Sequence, residues 1–80
     1  MLELAIIGAV TKKNVSIIWL EVQTLMGNLV IQEGHAPMIV ILANNQKIIF
    51  ALNDTTTESM HIVGGLLEIT RHTATIIVDE

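Results

Sequence analysis

The sequence predicts an all-β sandwich or barrel, and three observations carry that expectation. Its apolar residues are chiefly Ile, Leu and Val, which suit a pleated surface, with Trp19 and Phe50 supplying the only large rings. They fall into strand-length runs, several alternating with polar residues at a period of two. Clusters of turn residues separate the runs at close spacing, and no stretch carries a sustained helical stripe.

Leu2 to Val10 reads as the first strand. Leu2, Leu4 and Ile6 share one face, and Gly8 with Thr11-Lys12-Lys13-Asn14 forms the turn that follows. From Val15 to Leu25, Ile18, Leu20 and Val22 are the inward residues, while Trp19, Glu21 and Gln23 point the other way. Trp19 is therefore either an interface residue or, within a two-sheet sandwich, part of the core. Gly27-Asn28 marks a turn before a short strand, Leu29 to Ile31. Glu33-Gly34-His35-Ala36-Pro37 is the strongest break, because Pro37 cannot donate to a ladder and belongs in a loop or at a sheet edge.

Met38 to Leu42 is a continuous apolar run of strand length. Asn44-Asn45 suits a tight hairpin, since Asn tolerates positive φ, and Lys47 to Leu52 is its return strand. Asn53 to Ser59 is the least hydrophobic stretch and reads as an exposed connection. Met60 to Ile69 encloses Gly64-Gly65, which is either a two-residue hairpin turn or a place where another backbone comes close. Arg71-His72 separates Leu66 to Thr70 from Thr73 to Val78 as a last hairpin.

Length and composition narrow the function. Residues 1–80 are read as one domain, because two cores cannot be built from 80 residues, and a core this small must be densely apolar. The apolar fraction of 51% and mean hydropathy of +0.62 meet that need and leave apolar side chains for the surface, where they commonly mark a protein interface. The longest apolar stretches fall far short of the ~18–20 residues of a membrane span. The opening Met1-Leu2-Glu3-Leu4 lacks the basic start of a signal peptide, so a cytoplasmic location is the default expectation. Cysteine is absent, which removes disulfides and thiolate chemistry, and a net charge of -4 disfavours a nucleic-acid partner.

Chemistry-bearing motifs are sparse. His35, His61 and His72 stand far apart and form no H-x-H or H-x-x-x-H pair, so no metal site is expected. Glu21, Asp54, Glu58, Glu68, Asp79 and Glu80 read as solvated surface charge on a body too small for a deep cleft. Ser16 and Ser59 lack a nucleophile-elbow context, and neither glycine-rich nucleotide motif is present. No catalytic residue and no cofactor is expected, and the composition points to a protein that docks on other proteins.

The most specific segment is Gly27-Asn28-Leu29-Val30-Ile31-Gln32-Glu33-Gly34-His35-Ala36-Pro37-Met38. It resembles the turn, short strand and GHAP-type loop of the N-terminal domain of F-type ATP synthase epsilon subunits. Val63-Gly64-Gly65-Leu66-Leu67-Glu68-Ile69 and Thr75-Ile76-Ile77-Val78-Asp79 follow at family-like spacing, like the family's glycine-pair strand and closing strand. The resemblance implies a flattened antiparallel β-sandwich. It also implies a non-catalytic central-stalk component that docks on the gamma subunit and on the loops of the membrane-embedded c-ring. By the same resemblance, Asn28, Gln32, Glu33 and His35 are the expected interface residues.

Two departures accompany it. The family's G-E-x-G pattern is Gly27-Asn28-Leu29-Val30 here, which removes an acidic residue from the ring-facing region, and Glu33 stands where the family has a proline. The chain also stops before the helical hairpin that follows this domain in full-length epsilon subunits. The alternative expectation is a diverged free-standing sandwich that self-associates or serves another complex.

Overall fold

The computed structural model describes residues 1–79; Glu80, placed above among the surface carboxylates, lies outside the described residues. Nine strands are ordered β1 (Leu2–Ile7), β2 (Lys12–Ile17), β3 (Trp19–Thr24), β4 (Gly27–Gln32), β5 (Met38–Leu42), β6 (Gln46–Ala51), β7 (Thr57–Ile62), β8 (Gly65–Ile69) and β9 (Thr73–Val78). They form one hydrogen-bonded path, β2-β1-β9-β8-β5-β3-β6-β7, with β4 added beside β3. The sheet curls into two layers, β2-β1-β9-β8-β5 and β4-β3-β6-β7, joined where Thr24 of β3 pairs with Leu42 of β5. The all-β sandwich expected from the sequence is therefore the fold. One pair departs from antiparallel order: β1 and β9, the first and last strands, run parallel.

Alternation builds the core. Leu2, Leu4 and Ile6 are buried on β1, Leu20 and Val22 on β3, Ile48 and Phe50 on β6, Leu67 and Ile69 on β8, and Ala74, Ile76 and Val78 on β9. These residues from both layers form one cluster, and no polar or charged side chain among the described residues is buried. The interior thus avoids the cost of an unpaired buried polar group.

Several sequence expectations are corrected. Lys12, Lys13 and Asn14, expected in a turn, lie in β2 and pair with β1 through Ile7↔Lys12, Ile6↔Lys13 and Ala5↔Asn14. Their polar side chains suit an exposed edge strand, and pairing overrides local turn preference. The expected strand Val15 to Leu25 is broken by a bend at Ile18, whose N–H donates to the Ala51 carbonyl at 2.8 Å. The bend carries the chain from one layer to the other, so Ile17, and not Ile18, is the buried residue. Trp19 is half-buried on the outer side of its layer.

Asn44-Asn45 does make a turn, with Asn45 at φ 54°, but β5 and β6 are not a hairpin. β5 pairs with β8, whereas β6 pairs with β3 and β7, so the turn crosses between layers. Crossing lets Leu42 and the Ile48/Phe50 pair face the same core from opposite sides. Thr57, Glu58 and Ser59, expected in a connection, are strand residues opposite Ala51, Phe50 and Ile49. They too belong to a polar edge strand.

Gly64-Gly65 is the last crossing, and it resolves in favour of close backbone approach, because β7 and β8 do not pair with each other. A Cβ at Gly65 would collide with the backbone carbonyl oxygen of Ile77 on β9. At Gly64 a Cβ would lie 2.6 Å from Asn44 Oδ1 and 3.0 Å from Asp79 Oδ2, both ends of side chains. The Arg71-His72 hairpin holds as expected, with Ile69 opposite Ala74 and the Thr70 N–H donating to the Thr73 carbonyl at 2.9 Å.

Backbone cannot yield as a side chain can. Gly65→Ala is therefore expected to lower unfolding free energy in urea by about 1–3 kcal/mol, the range for overpacking, and Gly64→Ala by clearly less. Equal losses at the two positions would contradict this account of the glycine pair.

Candidate docking surface

The β3–β4 hairpin carries the first of the expected interface residues. Thr24 pairs with Gly27, leaving Leu25-Met26 as a two-residue tip, so the turn lies two residues before the expected Gly27-Asn28. Gly27 has φ +113°, a backbone conformation that side chains disfavour, and Thr24 Oγ1 closes the turn by donating to the Gly27 carbonyl at 2.8 Å. Asn28 follows on the outward face, where its Nδ2 donates to Glu21 Oε2 at 2.8 Å.

Gln32 ends β4 on that same outward face, four residues beyond Asn28 and hence ~13 Å along the strand. Glu33 and His35 lie in the loop that crosses from β4 to β5. This loop is anchored by the neighbouring β8–β9 turn: the Gly34 N–H donates to the Arg71 carbonyl at 2.7 Å, and Arg71 Nη1 donates to the Gly34 carbonyl at 3.3 Å. His35 is half-buried, its Nδ1–H donating to the Ala36 carbonyl at 2.8 Å. The structure thus brings Gln32, Glu33 and His35 together at one end of the sandwich and sets Asn28 apart at the other end of β4.

Glu33 has two partners. Its Oε1 accepts from the Met1 amino group at 2.8 Å, and its Oε2 lies 3.2 Å from His72 Nδ1. The hydrogen bond from the amine, followed by that from His72, holds the Glu33 carboxyl below its ordinary 4.5. Reciprocally, the hydrogen bond to Glu33 raises the amine above its ordinary 8.0. What Glu33 contributes is present above 4.5 and is lost as pH falls through its depressed titration point; what the amine contributes is present below 8.0 and is lost as pH rises through its raised one. Both groups are exposed, so solvent screening keeps the contact weak.

Sequence periodicity passed over a second feature. Ile41, Leu66, Ile77 and Ile7 sit opposite one another across β5, β8, β9 and β1. All four side chains point outward and are 60%, 37%, 52% and 42% exposed. They form an apolar row ~14 Å long across three strand spacings. The signal was present as apolar residues at outward positions, Ile7 after Leu2/Leu4/Ile6 and Ile77 between Ile76 and Val78, but only the register joins them. The outer face of the other layer carries Glu21, Gln23, Asn28, Gln32, Ser59 and His61 around the half-buried Trp19 and Ile49.

Among the described residues no three His, Asp or Glu side chains converge as a metal site, and no helix is long and apolar enough to cross a membrane. The three histidines lie in the β4–β5 loop, on β7 and in the β8–β9 turn.

A two-layer, all-β fold closed over one apolar core defines the chain as a β-sandwich domain. Residues 7–80 match the family described as ATP synthase, delta/epsilon chain, β-sandwich domain, and the chain belongs to that family. It is 35% identical over 54 residues to the ATP synthase epsilon chain of Granulibacter bethesdensis, covering 68% of this chain and 39% of that protein. The chain thus aligns with well under half the length of that relative. Its fold is also that of a chain in the central stalk/c-ring structure of the Tetrahymena thermophila mitochondrial ATP synthase, with a TM-score of 0.83, 15% identity and coverage of 99% of this chain and 63% of that one. A chain in the Euglena gracilis mitochondrial ATP synthase structure with OSCP, F1 and c-ring gives 0.87 at 15% identity, covering 96% of this chain and 49% of the other.

In Glu33→Gln the Met1 amine is expected to titrate close to 8.0, lower than in the parent, when followed by NMR over pH 6 to 10. An unchanged amine titration would show that Glu33 is not its principal partner.

Proposed function

We propose that this chain is a non-catalytic central-stalk component of a proton-translocating F-type ATP synthase, and that it docks on the gamma subunit to couple rotation with ATP synthesis. The observation that carries this reading is the apolar row Ile7, Ile41, Leu66 and Ile77 on the outer face of β1, β5, β8 and β9. Four large aliphatic side chains held in register on a rigid sheet offer the desolvated centre of an interface. The sequence left the docking face unassigned; in this reading the row supports a gamma contact on the β2-β1-β9-β8-β5 layer. Membership of the delta/epsilon family supports the choice of partner.

The end of the sandwich bearing Gln32, Glu33 and His35 is the proposed contact with c-ring loops; Asn28, at the other end of β4, lies outside that contact. The domain contributes binding and rigidity in place of chemistry. In this reading the protein is cytoplasmic and peripheral, held at the membrane only through the complex.

Ile77→Lys and Leu66→Lys place a charge in the row without touching the core. Each is expected to weaken capture of the purified gamma subunit at least tenfold while melting with the parent protein, as read by biolayer interferometry and circular dichroism. Retention of full affinity by both variants would remove this face from the interface, and failure of the parent to bind gamma would remove the stalk reading itself.

A further inference from the structure

We infer that the groove between β4 and β5 accepts an extended, uncharged strand of a partner protein, which pairs with the open edge of β5. The groove encloses about 520 Å³. Met38, Ile39, Val40 and Ile41 all line it. Successive side chains of a strand point to opposite faces, so four consecutive residues can border one groove only if it runs along the strand's edge.

That edge is open. β5 pairs with β8 along Met38 to Leu42, while on its other side among the described residues it meets only Thr24, opposite Leu42. Backbone groups of a strand alternate between its two neighbours, and the Ala43 N–H donates to the Gln23 carbonyl on the β3 side at 2.9 Å. By that alternation the N–H groups of Ile41 and Ile39 also point away from β8, towards the groove. The opposite wall comes from β4, which among the described residues pairs with β3 alone. An added strand therefore lies between two strand edges and bridges the open side of the sandwich.

Charge selects the occupant. No lining residue is charged, and the two polar side chains in the lining already have internal partners: Thr24 Oγ1 bonds the Gly27 carbonyl and Asn28 Nδ2 bonds Glu21. The other outer strands are protected in the way edges commonly are, with Lys12 and Lys13 on β2 and Glu58 on β7, and Lys13 pairs with Glu58 at 3.6 Å. β4 and β5 carry no charge. A second copy offering β2 or β7 would have to bury those charges, and a chain of net charge -4 with no cation at the groove is repelled by anionic lipid. An uncharged segment with alternating apolar side chains satisfies both the backbone edge and the walls, including Leu29 and the Leu25-Met26 tip.

The inference is independent of the stalk reading, and its test needs no ATP synthase subunit. The ¹⁵N-labelled chain is titrated with an acetylated and amidated hexapeptide of alternating Val and Thr. Saturable shifts and slowed hydrogen exchange at the Ile39 and Ile41 amides are expected, with at least tenfold weaker binding by Ile39→Lys, whose 66% exposed side chain should leave melting unchanged. No shift at millimolar peptide, shifts centred on Leu66 and Ile77, or equal binding by Ile39→Lys would each overturn it. So would closure of the same amides by self-association without peptide, or by phosphatidylserine vesicles.

Discussion

Everything in this small domain depends on the chain's passage between its two layers. Neither layer buries more than one face, so neither is stable alone. The passages are at Ile18, at Glu33 to Pro37, at Ala43 to Asn45 and at Val63-Gly64, and the last two are stitched together by the Asn45 N–H donating to the Val63 carbonyl at 2.9 Å. The Asp79 N–H then donates to the Gly64 carbonyl at 3.0 Å, tying the end of β9 to the same place. With the corner held by backbone, the inward faces meet as a wholly aliphatic and aromatic core. That core needs no cysteine, metal or buried ion pair to define it.

The same corner explains what was legible in the sequence. Alternation placed Leu2, Leu4, Ile6, Leu20 and Val22 correctly, and turn chemistry found the breaks at Gly34 to Pro37, Asn44-Asn45 and Arg71-His72. Pairing was less visible, because a turn residue states that the chain bends and not which strand lies beside it afterwards. Asn44-Asn45 therefore suggested a hairpin where the chain changes layer. Polar strands were hidden for a related reason: Lys12 to Asn14 and Thr57 to Ser59 look like loops until an edge position supplies their pairing. Of the candidate surface, Gln32, Glu33 and His35 were brought to one end, Asn28 lies apart, and the apolar row was hidden because its members come from four strands distant in sequence.

An apolar excess in a chain of 80 residues has few places to go. Once the core is filled, Ile7, Ile41, Leu66 and Ile77 appear on one outer face, and Leu25, Met26 and Ile39 appear at the β4–β5 side. Ile41 belongs to both sets. The outer row is a side-chain surface backed by paired strands, whereas the groove presents unpaired backbone. The two surfaces therefore place different demands on whatever covers them: shape and desolvation on the first, strand geometry on the second.

The parallel pairing of β1 with β9 has a mechanical consequence. Five residue pairs, from Glu3↔Thr73 to Ile7↔Ile77, connect the first strand to the last with both running the same way. Tension applied between the start of β1 and the end of β9 pulls these strands along their own length in opposite directions. The ladder is then loaded in shear, and its hydrogen bonds share the force instead of opening one after another as in an unzipped hairpin. A pull between these two ends of the chain is therefore resisted by the whole five-pair ladder at once.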